Sequence, residues 1–134
     1  MRVKIALLAD YSNVSREGKL NILGIFDTIY APTFPTSHPH MQLVMRFEGG
    51  AEDAGSTRQL EVQLQAQDGA VLFRVPGTLA VQRSELGEIV RAEHILTLNN
   101  VTFEQPGRYA FHIILDGRTE AMVPLRVETI PARH

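Results

Sequence analysis

The 134-residue sequence is informative first through what it lacks. It has no cysteine, which excludes a disulfide framework, a thiol nucleophile and a cysteine-ligated zinc site. No apolar run approaches the roughly 20 residues that a membrane-spanning helix needs. Its charge is nearly balanced, with 13 Lys and Arg against 15 Asp and Glu. A strongly basic nucleic-acid binder and an acidic disordered tail are therefore not indicated.

The N-terminal residues begin like a secretory signal peptide but do not continue like one. Arg2 and Lys4 precede an apolar stretch, but this stretch spans only 5–9, and Asp10 follows at once. A signal peptide needs an apolar region of about 7 to 15 residues. We interpret the stretch as a first strand and expect a cytoplasmic protein. One core suffices at this length, so we expect a single domain over residues 1–134.

Alternation of polar and apolar residues is the dominant pattern. It is clearest in residues 58–67, RQLEVQLQAQ, which predict a strand with one face on the core. Asp68-Gly69 follows, and a type I′ turn there would pair Ala66 with Val71 and Leu64 with Phe73. In a second hairpin, from 112 to 127, the apolar faces match only across a three-residue loop. We therefore predict a type I turn over 115–117, with Gly117 in the left-handed region.

The remaining segments complete an all-β chain. Residues 19–30, KLNILGIFDTIY, are apolar on both faces and predict a central strand with a bulge at Gly24. We predict further strands at 2–9, 41–48 and 90–98, a polar loop at 10–18 and a proline-rich crossover at 31–40. Residues 49–57 predict a mobile tip, and 78–89 a short strand with one helical turn.

Seven to eight short strands with at most one short helix predict an antiparallel β-sandwich. The stretch LNNVTFEQPGRYAFHIILDG resembles the late strands of immunoglobulin-like and C2-like sandwiches. In such folds a tyrosine after the turn bonds back to the loop backbone, and Tyr109 occupies that place. This analogy implies a fold and no activity.

Two stretches also resemble a known family. These are the DYSN-to-GIFD stretch and the later PGRYAFHI-LDG stretch. They are similar to an uncharacterised bacterial family of proteins of about this length, and the resemblance covers nearly the whole chain. It implies a single cytoplasmic β-rich domain with no assigned activity, and it carries no functional residues.

Two segments provide candidate site residues. The polar loop contains the densest polar cluster, which begins with Asp10, Tyr11, Ser12 and Asn13. Binding residues often lie on such loops, although these residue types also satisfy turn backbones. His38 and His40 could face one metal ion, with a third ligand from Asp27, His94 or His112. Two histidines are weak evidence, so we expect neither a metal nor another cofactor. For Asp27, inside an apolar strand, Arg46 is the predicted ion-pair partner.

Three hypotheses about function follow. The leading one is a non-enzymatic β-sandwich that acts through protein–protein contact or self-assembly, because no catalytic motif is present and strand 19–30 is apolar on both faces. The alternative is a small-ligand or metal-binding sandwich with its site between loops 10–18 and 31–40. A hydrolase would need convergence among Asp10, Asp27, Glu93, His94, His112 and Glu120. The arginines are evenly spread, so we expect a protein partner or a homo-oligomer, with neither nucleic acid nor membrane as a partner.

Overall fold

A computed structural model describes residues 1–82 and 89–131, and in these residues nine strands form two packed sheets. The strands are β1 (Arg2–Val14), β2 (Leu20–Phe26), β3 (Thr28–Ala31), β4 (Thr36–Gly50), β5 (Thr57–Ala66), β6 (Val71–Ala80), β7 (Ile89–Phe103), β8 (Gly107–Leu115) and β9 (Arg118–Thr129). The four-stranded sheet has the order β2-β1-β4-β7, and the five-stranded sheet has the order β3-β9-β8-β5-β6. The predicted all-β sandwich is confirmed.

The core lies between the sheets and follows the predicted alternation. Leu60, Val62 and Leu64 of β5 are buried, while Glu61 and Gln63 between them are only partly buried. The four-stranded sheet contributes Met41, Leu43, Met45 and Phe47 of β4 to the same cluster. Alternation therefore correctly predicted the core face of β5.

The predicted tyrosine corner is also confirmed. The Tyr109 hydroxyl donates to the carbonyl oxygen of Gln105 at 2.6 Å, and its buried ring meets Phe103 edge-on with centroids 5.0 Å apart. Packing fixes the ring, and the hydrogen bond satisfies its polar end. The corner thus ties the turn between β7 and β8 to the core.

The first hairpin keeps the predicted pairing away from the turn, but neither the turn nor the pair next to it is as predicted. Leu64 lies opposite Phe73. However, Ala66 donates its N–H to Ala70 at 2.8 Å, which closes a three-residue loop over 67–69. Only Gly69 in that loop has a positive φ, of +90°, whereas a type I′ turn needs two such residues. The pairing of Ala66 with Val71 is therefore wrong, and Leu72 is an extra, bulged residue.

In the second hairpin the loop is shorter than predicted, whereas in the first it is longer. The second loop has two residues, Asp116 at φ +50° and Gly117 at φ +82°, so the predicted three-residue loop is wrong. The Asp116 carboxylate accepts the Gln59 N–H at 3.0 Å and Arg58 Nη1 at 2.9 Å, and these bonds stabilise the left-handed residue. A bulge at Glu120 restores the phase, so the predicted core face of β8 and β9 is correct.

Two other segments differ from their predictions. The expected tip 49–57 is a compact turn with a 3-10 helix, Ala51–Asp53. The buried Asp53 there accepts the Gly50 N–H at 3.1 Å and bonds to Arg58. In the segment 78–89, residues 78–80 end β6. The predicted helical turn falls largely on residues 83–88, which lie outside the described residues.

Candidate functional site

The segment that was expected to be a central strand lies at the edge of both sheets. Residues 20–31, which we call the edge segment, form β2 at one edge of the four-stranded sheet and β3 at one edge of the five-stranded sheet. Its outward apolar side chains are largely exposed: Leu23 by 70%, Ile25 by 64% and Tyr30 by 60%. The central-strand prediction is therefore wrong, and burial in the fold does not explain why the segment is apolar on both faces.

The edge segment crosses between the sheets at Asp27. The carbonyl oxygen of Asp27 accepts the N–H of Arg126, after which β3 runs parallel to β9. Phe26 packs on the core from one sheet, and Ile29 is buried from the other. Inward residues therefore hold the segment in place while its outward residues stay uncovered.

The predicted pairing of Asp27 with Arg46 is wrong. The Asp27 side chain accepts the Thr28 hydroxyl at 2.8 Å and is exposed. Arg46 instead bonds to Glu93 on the neighbouring strand β7, with an N···O distance of 2.8 Å. Sequence order pointed to the wrong strand, because β4 lies between β1 and β7 and does not touch β2.

Gly24 lies at the centre of β2, where the register with β1 does not shift, so the predicted bulge is wrong. It has a φ of +74°, a conformation that residues with a side chain rarely adopt. A Cβ atom there would collide with the carboxylate of Asp10, which lies over it. Glycine at this position is required both by the backbone and by the close approach of Asp10.

The residues of the predicted binding loop belong to a strand. Asp10, Tyr11, Ser12 and Asn13 lie in β1, and the turn that follows spans only 15–19. The Ser12 hydroxyl donates to Gln42 Oε1 at 2.7 Å, and Asn21 donates to Asn13 at 2.9 Å. These side chains therefore bind one another across strands, while Tyr11 is 52% exposed and pairs with Leu23 of the edge segment.

The two candidate histidines lie in β4, not in a crossover, which is confined to residues 32–35. His38 is half-buried, with its ring 5.8 Å from that of Phe26, and burial lowers its pKa despite the nearby Asp10 carboxylate. His40 bonds to Asn99 at 3.0 Å. The described residues contain no group of three side chains that could hold a metal ion, so the two histidines have no third ligand there.

The residues of the hydrolase hypothesis are dispersed. Within residues 1–82 and 89–131, no hydrogen bond joins any two of Asp10, Asp27, Glu93, His94, His112 and Glu120. His94 is half-buried on the core face of β7, and burial lowers its pKa. Glu93 forms the ion pair with Arg46 that is described above. These positions do not form an acid–base pair in the described part of the chain.

The outward face of the four-stranded sheet continues the apolar edge. Ile25 lies opposite Ala9 of β1, and the next row of the sheet is Leu7, Val44 and Ile95. Val44 is fully buried although it does not belong to the core cluster between the sheets. An apolar strip thus runs from the edge segment across the sheet.

A separate groove of about 620 Å³ opens on the other side of the sandwich, between β6 and β7. The bulged Leu72 lines it together with Phe73 and Val101. Asn100, at φ +55°, also lines it. Leu72 is the extra residue of the β6 bulge, and its side chain is exposed.

Comparison with solved structures finds a weak similarity and corrects one expectation. The chain is similar to the Pseudomonas fluorescens alkylpurine DNA glycosylase AlkC bound to DNA containing an abasic site analog, with 11% identity and a TM-score of 0.48. The match covers 94% of this chain and 30% of that one. The expectation that nucleic acid is not a partner is contradicted, because a protein solved with DNA is among the similar structures. At this similarity the match assigns no ligand to the chain.

The remaining comparisons concern the sequence. No curated protein matches the chain. In the described part of the chain, no helix has the length and apolarity to cross a membrane. One family matches residues 4–128, which is nearly the whole sequence, in agreement with the resemblance of the DYSN and PGRYAFHI stretches. The chain belongs to this family, the family of unknown function DUF6941.

Proposed function

We propose that this protein is a non-enzymatic β-sandwich that acts through protein–protein contact, and that the edge segment makes the contact. The observation that carries the proposal is the exposure of Leu23, Ile25 and Tyr30 on one short stretch of chain. Single exposed apolar residues are common on protein surfaces, but a cluster of them is typical of interfaces.

The backbone of β2 supports the same function. Within the described residues, only β1 pairs with β2, so the other side of this strand presents unpaired N–H and C=O groups. Proteins usually protect such an edge with charged residues or proline, and β2, LNILGIF, contains neither. An added strand would satisfy these groups and cover the exposed side chains together.

Burial of the exposed side chains at this edge would contribute favourable free energy to a contact. Full burial of a large aliphatic side chain contributes about 1.5 to 3 kcal/mol, so Leu23 and Ile25 offer roughly 1 to 2 kcal/mol each. Tyr11, which lies opposite Leu23, adds exposed amphipathic area, and Tyr30 on β3 is exposed as well. Tyrosine is enriched at interfaces because its ring is apolar and its hydroxyl forms hydrogen bonds.

Site-specific photocrosslinking tests this proposal. A photoreactive amino acid at position 23 or 25 is expected to yield a defined protein adduct, identified by mass spectrometry, in a lysate of the source organism. The matched control is position 78, because Thr78 is exposed on β6, at the far edge of the five-stranded sheet. Equal adduct yields at positions 23 and 78, or no adduct at 23 and 25, would contradict the proposal.

A further inference from the structure

The uncharged strand β2 lies between two residues of opposite charge. Lys19 immediately precedes it and Asp27 immediately follows it. Both are exposed, and no ion pair among residues 1–82 and 89–131 involves either of them. The strand therefore has a positive end, an apolar middle and a negative end.

We propose that the edge segment binds a second copy of this chain, with β2 pairing antiparallel to β2 of that copy around Leu23. This inference rests on the proposed function and names the partner. A two-fold axis through Leu23 places Lys19 of each copy opposite Asp27 of the other. Two-fold symmetric dimers are the commonest homo-oligomers, and their interfaces must be complementary to themselves.

Charge favours this arrangement over the parallel one. In the antiparallel pair, both ends of the strand meet an opposite charge. In an in-register parallel pair, Lys19 would lie beside Lys19 and Asp27 beside Asp27. Like charges directly opposite each other destabilise a strand pair, whereas opposite charges stabilise it.

The middle of the strand is compatible with the same axis. Leu23, the most exposed large hydrophobic residue in the described part of the chain, would meet its own copy at the axis. Gly24 would lie opposite Ile22 of the second copy, where the missing side chain leaves room for isoleucine. Asn21 would lie opposite Ile25. The pairing would join the two four-stranded sheets into one continuous sheet.

A contact of one seven-residue strand per copy is small, so we expect an exchanging dimer rather than a permanent one. Sedimentation velocity over a concentration series measures its dissociation constant. Each single variant, Lys19→Asp or Asp27→Lys, replaces two attractions by two repulsions. We expect either one to raise the dissociation constant about tenfold or more.

The charges can be exchanged as well as removed. The double variant Lys19→Asp/Asp27→Lys restores both attractions and is expected to dimerise within about threefold of the wild type. An equimolar mixture of the two single variants is expected to form heterodimers. In these the introduced aspartate of one copy faces the introduced lysine of the other, and the unchanged Asp27 and Lys19 face each other at the opposite end of the strand pair. Arg74→Asp and Glu104→Lys are the charge-matched controls at exposed positions away from β2, and they should leave dimerisation unchanged.

Several results would overturn this inference. These are a wild-type protein that stays monomeric at several hundred micromolar, single variants that dimerise like the wild type, and a double variant or mixture that shows no recovery. Photocrosslinking separates this failure from that of the proposed function. If position 23 is linked only to a different protein while the purified chain stays monomeric, protein contact by the edge segment stands and self-pairing is wrong.

Discussion

The tyrosine corner allows a sharp test of how the turn between β7 and β8 is held. In Tyr109→Phe the ring stays against Phe103, and only the hydroxyl that donates to Gln105 at 2.6 Å is lost. A hydrogen bond of this kind contributes about 0.5 to 1.5 kcal/mol, so we expect the free energy of unfolding to fall by about 1 kcal/mol. The corresponding decrease in Tm is about 3 to 5 °C.

Urea unfolding at neutral pH is the assay, and Tyr30→Phe is its matched control. The Tyr30 side chain is exposed, and its hydroxyl makes no hydrogen bond within the described residues. We therefore expect its removal to change stability by less than about 0.5 kcal/mol. Equal effects of the two substitutions would refute the assignment of a stabilising role to the corner.

Alkaline pH adds an independent measurement. Burial raises the pKa of Tyr109, so the hydroxyl ionises in the unfolded chain near pH 10 before it ionises in the folded protein. The fold is therefore fully stabilised by the protonated group below pH 10, and it loses this contribution as pH rises through the folded pKa. The difference in the free energy of unfolding between wild type and Tyr109→Phe should become smaller above pH 10. A difference that stays constant or grows would contradict this reasoning.

Two further predictions concern the backbone and the second hairpin. Gly24→Ala should lower the free energy of unfolding by about 1 to 2 kcal/mol in urea titrations, because φ there is +74° and a Cβ lacks space. Gly77→Ala should change the free energy of unfolding little, because Gly77 has no positive φ and the atom nearest to a Cβ there, the Leu60 carbonyl oxygen, lies 3.9 Å away. Asp116→Asn should lower Tm at pH 7 more than Asp68→Asn, which loses only a bond within its own turn. Cross-strand bonds hold the pKa of Asp116 below its usual range, so its contribution is present above about pH 4 and lost as pH falls through the folded pKa. The difference in Tm between wild type and Asp116→Asn should therefore disappear at acidic pH. A difference that persists at low pH would contradict a role for the bonds from Gln59 and Arg58 to the Asp116 carboxylate.

The two hairpins illustrate what alternation can and cannot predict. Which residues face the core follows from local pattern, because a strand turns every second side chain to the same side. The turn types do not follow from it. Asp116 adopts a left-handed conformation that is stabilised by Arg58 and Gln59, residues almost sixty positions away in the sequence. Asp68 has only a bond to Ala70 within its own turn, so Gly69 alone takes the positive φ.

The candidate site was only partly predictable for a related reason. The apolar character of residues 19–30 was evident, but alternation alone does not distinguish a strand buried on both faces from a segment shared by two sheet edges. Phe26 turns into the core from one sheet and Ile29 from the other, and the crossing at Asp27 depends on Arg126 at the far end of the chain. Asp10 to Asn13 extend β1 because Asn21 and Gln42 lie on the strands beside them.

The parallel pairing of β3 with β9 has a consequence for the order of folding. Thr28 pairs with Arg126, so the chain must be synthesised as far as β9 before β3 can find its partner strand. Closing so long a loop is slow compared with forming the local hairpins. During synthesis β2 can pair with β1, but β3 is an emerged strand that still lacks its partner. The proposed pairing between copies uses β2, which lies directly before β3 in the sequence. The edge segment reaches its final position only when β9 has been synthesised and pairs with β3.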